Sequence, residues 1–131
     1  MANVNLDMVG RASGDTVFIT GLGSAVVGPM AARAITAGRD RLTVLREADL
    51  ERLHPGQGFD EDRSDHANFR RRGIPSVHFF TGPHDDYHTT TDDAQRLNYD
   101  TLWKISRATL RVVRALADAP ARSFTPRARE R

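Results

Sequence analysis

Cysteine is absent from the 131 residues. No disulfide can staple the chain and no thiolate can hold a metal, so any metal must be held by imidazole and carboxylate groups. Aromatic residues are sparse at 7%, with a single tryptophan. No apolar run approaches the ~18 residues of a membrane span, and no basic segment followed by an apolar stretch opens the chain. Neither a membrane nor a leader peptide is therefore expected, and the localisation stays unknown. A basic stripe interleaved with aromatics, which nucleic-acid binding requires, is missing too. The last thirteen residues carry four arginines against one glutamate, a net of +3, so of the whole chain's +2 the preceding 118 residues carry −1. The sequence pI of about 9.6 thus reflects the tail. Arg70, Arg71 and Arg72, the one internal basic cluster, read as a solvated helix end.

What is present is ordinary for one globular domain: 39% hydrophobic and 27% charged residues. Residues 3–9 and 16–20 read as strands separated by a turn at 10–15, the second on its β-branched content. A glycine-containing stretch from Gly21 leads into a helix over 26–37, where Val27, Met30, Ala31, Ala34 and Ile35 recur at helical spacing. That stretch lacks the lysine and spacing of a phosphate loop, so its glycines are read as serving backbone geometry only. A short strand is expected at 42–45 and a surface loop at 48–62. Ser64 is placed to cap a helix reaching about Arg72. Residues 74–81 read as a strand buried on both faces, with His78 a core histidine. Residues 82–93 form a polar loop, and Asn98 caps the longest helix, 99–117. Its apolar stripe is expected to comprise Leu102, Ile105, Thr109, Val113 and Leu116, widened by Trp103, Leu110 and Val112. Pro120 is expected to end order. Strands alternating with helices predict an α/β/α three-layer sandwich around a mostly parallel or mixed sheet, as a domain over 1–118 followed by a basic, disordered tail over 119–131.

Polar residues gather at two strand ends, where α/β proteins place their ligands. Asp7 lies late in the first strand. His84, Asp85, Asp86, Tyr87, His88 and Asp92 crowd into the loop after Thr81. A carboxylate and an imidazole on neighbouring strand ends are ligands that Zn²⁺ accepts, and Asp86 and Asp92 are candidates to orient His88 through its other ring nitrogen. His84 and His88 are four apart but in a loop, so the argument for two histidines on one helix face does not apply.

Several motifs then fall in register. Asn5-Leu6-Asp7-Met8-Val9-Gly10-Arg11, Ser64-Asp65-His66-Ala67-Asn68-Phe69, Ile74-Pro75, Phe79-Phe80-Thr81-Gly82, Asp86-Tyr87-His88-Thr89 and Leu97-Asn98-Tyr99 together resemble the C-terminal portion of the zinc-dependent aminopeptidases of the bacterial leucyl aminopeptidase and aminopeptidase Y kind. The resemblance runs over residues 3–118. It implies a hydrolase that removes N-terminal residues from peptides with two zinc ions and an activated water. It implies that Asp7 ligates one zinc, that His88 ligates the other, and that Tyr87 polarises the substrate carbonyl. Asp65 and His66 are read as stabilising the helix start.

The same resemblance marks what is not here. The family's His-x-Asp and Glu-Glu motifs, which carry the bridging ligand and the general base, precede the Asp7 strand, and this sequence has no Glu-Glu pair. A catalytic zinc takes about three protein ligands. The expectation is therefore a fold incomplete relative to the family, weak or absent zinc binding by this chain alone, and no hydrolysis. An uncovered sheet edge is expected to favour self-association. The alternative is a non-catalytic α/β module of the same descent that binds a peptide or partner. Relatives are often secreted or periplasmic, which leaves the compartment open for this chain.

Overall fold

The computed structural model describes residues 1–53 and 63–124. Four strands form one mixed sheet: β1 (Asn3–Asp7), β2 (Thr16–Thr20), β3 (Thr43–Leu45) and β4 (Ser76–Phe80), in the spatial order β1-β4-β2-β3. β1 runs parallel to β4 and β2 parallel to β3, while β2 and β4 are antiparallel. The register pairs Asp7 with Phe80, so the C-terminal ends of β1 and β4 emerge side by side.

Alternation along the strands decides what each face carries. Val17, Ile19, Val77 and Phe79 point to one face. There they meet Val27, Ala31 and Ile35 from in and around helix α1 (Gly28–Thr36), and Ile105, Val112 and Leu116 from helix α4 (Tyr99–Ala117). Phe79 is fully buried at the centre of this core. The opposite face carries Phe18, His78 and Phe80, with Asn5 and Asp7 beside them on β1. It is covered by the short helix α3 (His66–Arg70), whose His66 stacks on His78 with ring centroids 4.1 Å apart. Helices on both faces make the expected three-layer α/β/α arrangement.

The start of α4 is sewn to the turn after β1. Asn98 accepts from the Thr101 amide at 3.1 Å as the cap, and its own amide donates to the Gly10 carbonyl at 2.9 Å. Lys104 reaches Asp15 at 2.8 Å and Asp100 at 2.5 Å, tying the same helix to the residue before β2. At Gly21, where φ is +81°, a Cβ would stand 2.0 Å from the Ser76 carbonyl oxygen. Its amide instead donates to Glu47 at 2.8 Å, so the glycine answers to backbone approach, as the sequence suggests.

Four expectations are corrected. Residues 47–53 form a helix, α2 (Glu47–Leu53), with buried Leu50, in place of the start of a loop. Local acidic residues at its first turn favour it; the remainder of that expected loop, 54–62, lies outside the described residues. Ser64 does not cap α3; Asp65 holds the cap position without a side-chain bond, and the Ser64 hydroxyl is engaged elsewhere. On α4 the buried stripe is Thr101, Ile105, Ala108, Thr109, Val112 and Leu116, whereas Trp103 (62%), Leu110 and Val113 are exposed. Apolarity alone placed these three inward, but a helix packed on one sheet face and one helix buries only the arc facing them. Finally, order continues past Pro120: Ala121–Phe124 is a 3₁₀ turn and Phe124 packs against the core. The tail from 125 onward lies outside the described residues.

Candidate functional site

Asp7 closes β1, and its carboxylate Oδ2 accepts a 2.7 Å hydrogen bond from Ser64 Oγ. Ser64 in turn accepts from Asn5 Nδ2 at 2.9 Å. Asn5 and Asp7 share a face because they are two residues apart on a strand, so one hydroxyl orients both. Asp7 Oδ1 has no hydrogen-bond partner among the described residues.

Immediately after Asp7 the chain turns through Met8 at φ +53°, and His88 lies at φ +56°. Only one other non-glycine residue, Arg41, has positive φ among the described residues. Such conformations cost about 1–3 kcal/mol and persist where surrounding contacts impose them. At Met8 the imposing contact is Thr81 Oγ1 at the end of β4, which donates to the Met8 carbonyl and fastens the two strand ends together.

The loop after β4 is built around one buried carboxylate. Asp86, 8% exposed, accepts from Thr91 Oγ1 at 2.6 Å, Arg11 Nη2 at 2.5 Å and Arg96 Nη1 at 3.1 Å. The Thr91 hydroxyl and then the Arg11 guanidinium, helped by the charge of Arg96, hold its carboxyl down at about 2, against the opposing effect of burial. Arg11 also grips Asp92. The same carboxylates push Arg11 still further above its ordinary value, Asp86 most of all. Tyr87 and His88 are exposed on this frame. Their rings are stacked 3.8 Å apart at 22°, with the His84 ring edge-on to Tyr87 at 6.3 Å.

The site residues thus group as follows. Asp7 and the loop bearing Tyr87 and His88 lie at the same end of the sheet, since both follow the C-terminal ends of parallel neighbours. Asp86 and Asp92 do not orient His88. Both are taken by Arg11, and Asp92 faces His84 Nε2 at 4.0 Å. A guanidinium fork nearby outcompetes an imidazole for carboxylates. His66 and His78 form the buried stack on the α3 face. Two contributors escaped the sequence reading: Ser64, which the motif contained but a helix-start pattern explained away, and Arg11, whose partners lie 75 and 81 residues on.

The donor types suit a borderline divalent cation, but the number does not close a shell. Among the described residues no group of three or more His, Cys, Asp or Glu stands together to hold a metal ion. A cleft of about 440 Å³ lined by Gly21, Glu47, Pro75 and Phe124 lies at the other end of the sheet, away from Asp7 and His88.

Fold and site together define a three-layer α/β domain presenting a carboxylate and an imidazole at neighbouring strand ends. The sequence model of peptidase family M28 matches residues 1–113, and the chain belongs to that family. Among solved structures it is similar to the LapA aminopeptidase of Legionella pneumophila, at TM-score 0.66 and 21% identity over 90% of this chain. It is similar also to BSAP, a zinc aminopeptidase from Bacillus subtilis, at TM-score 0.62 and 22% identity over 96% of this chain. At these identities the likeness establishes the fold. The chain spans 31% of the length of each. No match was found among curated proteins.

Proposed function

We propose that this chain carries one side of the metal centre of a di-zinc aminopeptidase, and that hydrolysis of N-terminal residues from peptides needs further residues beyond those described. The observation that carries this reading is the pairing of β1 with β4. It sets Asp7, with a free carboxylate oxygen, at the same sheet end as the Tyr87–His88 loop. In this reading Asp7 Oδ1 ligates one zinc, while Ser64 keeps the carboxylate from rotating by donating to Oδ2. His88 offers a ring nitrogen to the second zinc. Tyr87, half-exposed beside it, donates its hydroxyl to the carbonyl of a bound peptide. Zinc, when bound, supplies Lewis-acid activation of water at neutral pH. With one ligand for each metal, this chain alone binds zinc weakly and is inactive.

The test is zinc stoichiometry after dialysis against metal-free buffer, for the unaltered chain and for Asp7→Ala and His88→Ala. Near-zero retention in all three, with zinc-induced shifts at Asp7 and His88 only at high zinc, fits a half-site. A tightly held equivalent lost in either variant means that copies of the chain complete the site between them. Zinc that binds but leaves both residues unperturbed discards the assignment and favours a non-catalytic module.

A further inference from the structure

Arg11 stands four residues after Asp7, in the segment that leaves β1. Its two terminal nitrogens reach different carboxylates: Nη2 holds Asp86 at 2.5 Å and Nη1 holds Asp92. Those carboxylates flank Tyr87 and His88, one immediately before the pair and one four residues beyond it. The contact is sheltered, with the side chains of Arg11 and Asp86 only 13% and 11% exposed. Within the segment, Thr89 Oγ1 donates to the Asp86 carbonyl at 2.8 Å, and Thr91 Oγ1 donates to its carboxylate. His88 itself is exposed, sits at positive φ, and makes no hydrogen bond among the described residues, only the stack with Tyr87. Its conformation is therefore imposed from beneath, by what holds the two ends of the segment.

We infer that Arg11 is a positioning residue for the metal centre, a two-armed clasp that fixes the Tyr87–His88 segment relative to the strand end bearing Asp7. The inference rests on the reading of His88 as a zinc ligand. A planar guanidinium suits the task because its fork presents donors in two fixed directions at once. A lysine ammonium is a compact point charge on a flexible stem; it can meet two carboxylates, but without a planar fork it does not fix their relative directions. Groups that orient ligands without touching the metal typically govern affinity by 10- to 100-fold.

The experiment is NMR on the full chain, reading the ring resonances of Tyr87 and His88, with core methyls of Val77, Ile105 and Val112 as a fold control, during titration with zinc ion alone. In the unaltered chain the stacked rings should show displaced, sharp resonances. In Arg11→Ala they should collapse toward averaged positions with the core methyls unchanged, and the zinc concentration that half-shifts His88 should rise about tenfold. Arg11→Lys should recover only part of both effects. Ring resonances and zinc response that survive Arg11→Ala unchanged overturn the clasp. Zinc that leaves His88 unmoved in the unaltered chain overturns the ligand reading instead, and the role assigned to Arg11 with it. Should Arg11→Ala lose its methyl dispersion, Asp92→Ala, which releases the more exposed arm, makes the same comparison with a smaller expected shift.

Discussion

Two candidate ligands, Asp7 and His88, sit beside or in backbone conformations that side chains disfavour, and this sets up a test at single residues. Met8 at φ +53° is held by Thr81 Oγ1 at its carbonyl. A β-branched side chain is worse there than an unbranched one, since it crowds the following carbonyl in the left-handed region. Met8→Val is expected to destabilise the chain by about 1–2 kcal/mol in urea unfolding, and Met8→Gly to be neutral or slightly stabilising. Equal losses in both would show that the Met8 side chain, and not its backbone, matters. Ser64→Ala is expected to cost about 1–3 kcal/mol while weakening zinc-induced shifts at Asp7, because its hydroxyl donates to the Asp7 carboxylate and accepts from Asn5.

Among the elements, α4 is the one whose attachment can be titrated. Asn98→Ala removes both the cap on the Thr101 amide and the side-chain bond to the Ala12 carbonyl, and is expected to cost about 1 kcal/mol. Lys104 and Asp15 give the sign of a pH dependence. The Lys104 ammonium, then the Thr101 hydroxyl, lower the Asp15 carboxyl below its ordinary value. This contribution is fully present above the unfolded carboxyl pKa of about 3.9 and is lost as pH falls through the lowered folded value. Asp100, then Asp15, raise Lys104. That contribution is fully present below about 10.4 and is lost as pH rises through the raised folded value. Urea midpoints measured from pH 2.5 to 6 should therefore show a shallower acid-side fall in Asp15→Asn than in the unaltered chain. Identical slopes would mean that the pair is screened out in solution.

At the scale of the whole molecule, the strand that carries Asp7 lies at an edge of the sheet. β1 hydrogen-bonds to β4 and to no other strand among the described residues, and Leu6 on it is 42% exposed. Tyr99, Trp103, Leu110 and Val113 fall within one arc of α4 when successive residues are turned by 100°, and all four are exposed. An open strand edge and an apolar helix stripe are both features that favour association with another chain. Light scattering behind size exclusion is expected to show concentration-dependent self-association, reduced by Leu6→Lys at little cost to stability. A monomer at every concentration, for both proteins, would discard the expectation. At the core, Phe79→Ala removes the largest fully buried side chain, a change that typically costs about 3–5 kcal/mol and is expected to abolish cooperative unfolding.

The strands, the long helix with its Asn98 cap, the three-layer class and the gathering of Asp7, Tyr87 and His88 at strand ends are legible along the chain. These follow from local periodicity, from side-chain capping chemistry and from motifs whose order along the chain is preserved. Which side chain holds which emerges only on folding. Ser64 carries a local pattern that reads as a cap, yet its hydroxyl goes to Asp7, 57 residues away. Asp86 and Asp92 read as partners of the histidine beside them, yet an arginine 75 and 81 residues earlier in the chain takes both. Trp103, Leu110 and Val113 read as core because they are apolar, yet among the described residues α4 has neighbours on only part of its circumference. In each case a short-range pattern offered an adequate partner, and packing brought a better one from a distance that no local spacing encodes.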